Sequence, residues 1–239
     1  VNQTKLVTWD SIGTVNPVSI QYSINNGSSW IDINTSYPGV DGSNNYSWTI
    51  PDRKNETCKV RVMDARSAFS SEVVSASGVF RIRPQINVTQ PTAGQVVFAG
   101  STDTSINWTY TGTKINYVSI DYYNGTGWTT LNSSVPVGAN GIGSYIWPYV
   151  SPPVADFAQI RVSDVDNANI MGLTPYFNIR GNIRVNSPNG GNNWPVGTSQ
   201  FITWTQTAVN FININYSLNN GSSWAPIVTD YSTTNGSYS

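Results

Sequence analysis

Apolar and polar positions alternate along this chain in short runs, and the clearest lies between Ser19 and Trp30. There Ile20, Tyr22 and Ile24 alternate with Ser19, Gln21 and Ser23 before an Asn26-Gly27 pair and a resumption at Trp30. The pattern returns loosely from Ser119 to Trp128 and almost verbatim from Asn213 to Trp224. Period-two alternation marks a strand with one buried face, and Asn-Gly supplies the positive φ angles of a tight hairpin. Each copy is therefore predicted to be a β-hairpin. No segment carries a sustained helical period, so the predicted class is all-β.

Other landmarks keep the same spacing. Trp9 recurs as Trp108 and Trp204, at intervals of 99 and 96 residues. Tyr46-Ser47-Trp48 recurs as Tyr145-Ile146-Trp147 and begins again at Tyr238-Ser239. Cys58 to Ala65 matches Ala158 to Val165, and Val79 to Ile82 matches Tyr176 to Ile179. Ile86-Asn87-Val88 with Pro91, Gly94 and Gly100 returns as Ile183-Arg184-Val185 with Pro188, Gly191 and Gly197. A period of about 98 residues holding about seven short strands is the size of one Ig-like or fibronectin-like Greek-key β-sandwich.

The expected architecture is tandem sandwiches with units at 1–83, 84–181 and 182–239, meeting at Arg83-Pro84 and near Gly181. Linkers of one or two residues without Gly/Ser stretches predict an elongated, stiff rod. Unit one lacks an opening strand, Val1 falling inside a repeat, and unit three stops after about half its strands. The residues are thus expected to be a window on a longer array, unless another molecule adds the missing strands. Trp9, Trp30, Trp48, Trp108, Trp128, Trp147, Trp204 and Trp224 recur at fixed positions and are expected in the cores, with Trp194 at a domain edge.

Composition acts mainly by subtraction. There is no His, Glu occurs only at Glu56 and Glu72, and Lys only at Lys5, Lys54, Lys59 and Lys114. That removes His-based acid–base and nucleophilic chemistry and ordinary zinc sites, and no Gly-rich phosphate loop precedes a helix. No enzymatic activity and no cofactor are expected. Charged residues are 10% of the chain and the net charge is −1, with the basic residues scattered, so no nucleic-acid partner is expected. No apolar run approaches the roughly 18 residues of a membrane-spanning segment. The single cysteine, Cys58, alternates with Lys59 and Arg61 and belongs on the core face as a small hydrophobe.

Three features bear on sites. Asp64 and Asp164 occupy equivalent positions after a buried strand. With Asp166 and Asn167 nearby, a calcium site at the domain junction, on Asp164 and Asp166, is the weak metal candidate of the chain. A turn-capping role is the stronger expectation, because unit one offers Ala65 and Arg66 where unit two has Val165 and Asp166. Asn-x-Ser/Thr sequons place candidate glycans at Asn26, Asn34, Asn45, Asn55, Asn87, Asn124, Asn132 and Asn220. Further matches stand at Asn2, Asn107, Asn215 and Asn235. The hairpin Ser23–Trp30 resembles the Asp-box of sialidase-like propellers, with Asn25 for Asp. Propeller blades repeat every 40–50 residues or so, however, which favours a self-contained turn whose side chains satisfy their own backbone.

The stretch from Ile183 to Thr205 resembles the opening of Kre9/Knh1-like domains. Its continuation through Tyr216–Trp224, Tyr46–Pro51 and Cys58–Ala65 looks like tandem Ig-like repeats of large bacterial cell-surface proteins such as surface-layer proteins and adhesins. The resemblance covers essentially the whole chain and carries no catalytic residues. It implies an extracellular, cell-surface structural segment that associates with copies of itself in a lattice, sheath or filament, with glycans as further partners. The alternatives are an adhesin stalk or carbohydrate-binding module, and an accessory region of a secreted hydrolase.

Overall fold

The computed structural model describes residues 3–66 and 68–239, of which just over half lie in strands and the rest in turns, irregular segments and one 3-10 helix at Thr233–Asn235. The first unit holds β1 (Thr4–Ser11), β2 (Val18–Ser23), β3 (Ile31–Tyr37), β4 (Gly42–Thr49), β5 (Asn55–Asp64), β6 (Val74–Ala76) and β7 (Phe80–Ile82). The second holds β8 (Ile86–Gln90), β9 (Val96–Phe98), β10 (Thr104–Tyr110), β11 (Tyr117–Tyr123), β12 (Trp128–Pro136), β13 (Ile142–Trp147), β14 (Ala155–Asp164), β15 (Met171–Leu173) and β16 (Phe177–Arg180). The third holds β17 (Asn182–Ser187), β18 (Ile202–Thr207), β19 (Phe211–Tyr216), β20 (Ala225–Ser232) and β21 (Ser237–Tyr238). No sheet mixes strands of two units.

Unit two is a closed sandwich. One sheet runs β13-β10-β8 and the other β12-β11-β14-β16-β9, with β15 also on β14. Inward residues of both sheets, among them Ile106, Trp108, Trp147, Ile120, Ile160 and Phe177, form one core with almost no solvent contact. Tyr122 packs 4.8 Å from Trp147, and burial pushes its phenol pKa up to about 12. Trp108 donates from Nε1 to the Val137 carbonyl at 3.0 Å. Its indole fits because the cross-strand partner is Gly143, where a Cβ would lie 2.2 Å from the ring.

Unit one repeats this plan with fewer strands. β1 pairs with β4, and β3-β2-β5-β6 forms the second sheet with β7 on β5. Its core is Val18, Ile20, Tyr22, Trp48, Cys58, Val60 and Ile82. Asn44 stands opposite Trp9, where unit two has Gly143, and it spends its amide on Val40 and Gly42. Trp9 is correspondingly half-buried, with Nε1 lacking a partner. The Cys58 thiol is fully buried; burial pushes its pKa up. In unit three, β17-β18-β21 and β19-β20 bury Trp204 and Ile214, while Ile183, Val185 and Phe211 stay exposed.

Two expectations need correction. Unit two has nine strands, because β9 and β15, like β6 in unit one, are three residues long and too short to show alternation. The hairpin tryptophans are outside the core. Trp128 pairs with Tyr123, and Tyr22 pairs with Ile31, which puts Trp128 and Trp30 on the outer face with Asp121 and Gln21. Trp128 is 40% and Trp224 64% exposed.

Gly143→Ala is expected to destabilise unit two by about 1–3 kcal/mol through overpacking against Trp108. Urea unfolding followed by tryptophan fluorescence would measure the loss.

Candidate functional site at the junction of the first two units

The turn between β4 and β5 reaches out of unit one through Pro51, Asp52, Arg53 and Lys54, and then opens β5 at Asn55 and Glu56. Two charged side chains of the turn, Asp52 and Lys54, and that of Glu56 in β5 contact unit two. Asp52 Oδ2 accepts from the Thr113 backbone N–H at 2.8 Å and from its hydroxyl at 2.7 Å. The Lys54 ammonium donates to Asp164 Oδ2 at 2.9 Å and to Asp166 Oδ2 at 2.8 Å. Glu56 accepts from both Arg83 Nε and Nη2, at 2.7 and 2.6 Å, and from Asn167 Nδ2 at 2.8 Å. Arg81 adds a fourth contact to the same carboxylate at 3.1 Å. Charge-assisted and bidentate bonds of this kind fix orientation as well as energy.

Asp164 and Asp166 do converge, and what they hold is the Lys54 ammonium. The Asp164 side chain is 1% exposed, so the cation neutralises a buried charge; Asp166 is open to solvent. In unit one Asp64 is equally buried and carries Arg66, through both guanidinium bonds and the Arg66 backbone N–H at 2.9 Å. Asp164 likewise accepts from the Asp166 backbone N–H at 3.4 Å. Both aspartates therefore cap the turn that follows their strand. Among the described residues no group of three or more His, Cys, Asp or Glu side chains gathers as a metal site would.

The electrostatics follow from the contacts. Burial works against the charge of Lys54, but its bonds to Asp166 and Asp164 outweigh that and hold its pKa above the ordinary 10.5. The Arg83 hydrogen bonds hold Glu56 below the ordinary 4.5. The sequence marked Asp164 and Asp166 at the junction but not their partner, because Lys54 and Asp164 lie 110 residues apart and charge alternation says nothing about such a distance.

The remaining candidates are dispersed. In the first hairpin Asn26 and Gly27 have φ of 56° and 94°, and Asn25 Oδ1 accepts from the Ser29 N–H while the Ser23 hydroxyl accepts from the Gly27 N–H. Ser217, Asn219, Gly221 and Ser223 reproduce the network in unit three, which is the self-contained turn predicted. On the outer face, Arg61 stacks on Trp30 and Arg161 on Trp128, each 4.4 Å from the ring centre. Arg161 is anchored by the buried Asp121 at 3.1 Å, and a cleft of about 330 Å3 beside it is lined by Ser119, Ser133 and Ser163.

Of the sequons, Asn26, Asn45, Asn87 and Asn220 are exposed, while Asn34, Asn124 and Asn132 are half-buried with Oδ1 bonded to local backbone N–H groups. Asn55 is engaged on both sides, donating to the Ile24 carbonyl at 2.9 Å and accepting from Thr57 N. Asn2 lies outside the described residues.

No protein-family model matches the chain, and no curated protein does. Solved structures align with it weakly. A tetra-tandem repeat in the extending region of a large adhesion protein shares 16% identity over 95% of this chain at a TM-score of 0.32, and the chain spans 58% of that structure's length. Fibronectin(III)-like modules of Clostridium thermocellum CbhA share 16% identity over 74% of this chain and 85% of theirs, at 0.25. The chicken CNTN1 FN1-FN3 domains share 13% over 98% of this chain and 86% of theirs, at 0.26. Scores at this level add no weight of their own. The sandwich assignment rests on the sheets described above.

Lys54→Met leaves Asp164 buried without its cation and is expected to weaken the junction by about 1–3 kcal/mol. Residual dipolar couplings of the two units would then no longer fit one common alignment. The pH dependence follows the shifts. Glu56, with a lowered pKa, stabilises the junction above its ordinary 4.5 and loses that contribution as pH falls through the lowered value. Lys54, with a raised pKa, stabilises it below 10.5 and loses that as pH climbs through the raised value. Small-angle scattering is expected to show the stiffest molecule between those limits.

Proposed function

We propose that this chain is a structural repeat segment of an extracellular cell-surface protein, spanning distance as a stalk and associating with copies of itself in a surface layer, sheath or filament. The observation that carries the reading is the junction just described. Two sandwiches joined directly through Arg83-Pro84 are held by Asp52 and Lys54 of the β4–β5 turn and by Glu56 at the start of β5, an arrangement suited to transmitting orientation from one unit to the next. A charge content of 10% reduces repulsion between neighbouring stalks, and Asn, Ser and Thr side chains offer hydrogen bonds across broad, individually weak contacts. This role requires no catalysis, no cofactor and no nucleic acid, and its remaining partners are glycans. The resemblance to Kre9/Knh1-like and surface-layer repeats points the same way.

A second reading, a carbohydrate-binding module, is favoured by the cleft beside the Arg161–Trp128 stack. It belongs to unit two, where Ser163 stands in the position that Met63 occupies in unit one.

Electron microscopy of the native cell surface is expected to show a periodic layer or filament. Its absence, together with chemical-shift changes at Ser119 and Ser163 on adding oligosaccharides, would favour the binding reading. Glycopeptide mass spectrometry is expected to find Asn45, Asn87 or Asn220 occupied and Asn55 bare.

A further inference from the structure

The pair Asn-Gly occurs six times in the chain, beginning at Asn26, Asn124, Asn140, Asn189, Asn220 and Asn235. It serves turns, because glycine adopts positive φ freely, but it also carries a chemistry of its own. With no side chain to shield it, the glycine nitrogen can attack the amide carbon of the preceding Asn. Attack needs a free glycine N–H, a free Asn amide, and a backbone able to swing the two together. The sites differ on all three counts.

All but Asn189 are held. Gly27 N–H donates to Ser23 Oγ and Gly221 N–H to Ser217 Oγ, both at 2.8 Å. Gly236 N–H donates to the Thr233 carbonyl at 3.1 Å. Asn124 has its Oδ1 occupied by the N–H groups of Thr126 and Gly127, each at 2.9 Å. Asn140 has a left-handed φ of 53° in a turn closed by reciprocal Ala139 and Ile142 backbone bonds at 3.0 Å, so its backbone cannot swing without opening the hairpin.

Asn189 is exposed, and its own N–H is tied to Asn192 Oδ1 at 3.0 Å. Among the described residues neither its side-chain amide nor the Gly190 N–H has a partner. Gly190 and Gly191 follow with φ of 82° and 71° and open space around both. The equivalent turn of unit two, a closed sandwich, has the same form. There Thr92 N–H donates to Gln95 Oε1 at 2.9 Å, Thr92 and Ala93 are exposed, and the Ala93 N–H is unbonded. Exposure is thus a property of the turn itself, and unit three places Asn-Gly where unit two has Thr-Ala.

We propose that Asn189 is a site of spontaneous backbone modification. The Gly190 nitrogen gives up its proton to hydroxide and bonds to Asn189 Cγ. The Cγ–Nδ2 bond breaks, and Nδ2 takes a proton from water and leaves as ammonia. Water then opens the five-membered imide at either carbonyl, giving aspartate or, with the chain rerouted through the side chain, isoaspartate. Either product places a carboxylate between Arg184 and Asp230, a stretch with no other charged side chain.

The test incubates the whole chain, produced without glycans, in mildly alkaline buffer. Peptide mapping follows the amide-to-acid mass gain, and isoaspartyl methyltransferase labels isoaspartate. Asn189 is expected to convert about tenfold faster than Asn26 or Asn220, which must first break a hydrogen bond. In urea, where every turn is open, the sites are expected to converge on similar rates. Ser217→Ala frees the Gly221 N–H and is expected to bring Asn220 toward the Asn189 rate, while Asn189→Gln removes the fast phase. The proposal is overturned if Asn189 reacts no faster than Asn26 in the folded chain, if the difference survives in urea, if Ser217→Ala leaves Asn220 unmoved, or if acid forms at Asn189 without isoaspartate.

Discussion

A β-sheet with one apolar face has to cover that face, and a short ribbon of strands in water cannot do so alone. In this chain the cover is always the facing sheet of the same unit, so each unit depends on presenting two layers of matched extent. Unit two meets the condition, and its Trp108, Trp147 and Phe177 lose all or nearly all contact with solvent. Unit one buries Val18, Ile20, Cys58 and Ile82 in the same way, between β1–β4 and the sheet of β2, β3 and β5.

Within that frame, small substitutions redirect large side chains. Gly143 admits the Trp108 indole beneath β13 and lets its nitrogen reach Val137. Asn44 in the equivalent position bonds its own turn, and Trp9 is left half-buried with its nitrogen unpaired. A residue at the rim of a core can thus decide whether an aromatic belongs to that core, even when the aromatic itself does not change.

Much of the architecture was legible from residues alone. Alternation fixed the class, the Asn-Gly turns fixed the hairpins, and the recurrence of Trp48 and Trp147 marked the core strands. The failures have local causes. The parity of the strand after a hairpin depends on loop length and bulges, and β3 and β12 each carry register shifts, so a recurring Trp could not be assigned a face from recurrence. Strands of three residues, such as β6 and β9, are too short to display a period. The cation of the junction was invisible for a different reason. Lys54, Asp164 and Asp166 come together only when two independently folded units abut, and nothing local in the sequence encodes that meeting. Asp164 and Asp166 were singled out, but their counter-charge sits in another unit.

That counter-charge has a further consequence. A divalent ion between two carboxylates is exchangeable, and any medium that sequesters it slackens whatever it tied. The ammonium of Lys54 is covalently part of the chain and cannot be chelated away or competed off by other metals. The Lys54 tie is untouched by chelators, whereas dissolved salt weakens its solvent-open Asp166 arm more than its buried Asp164 arm.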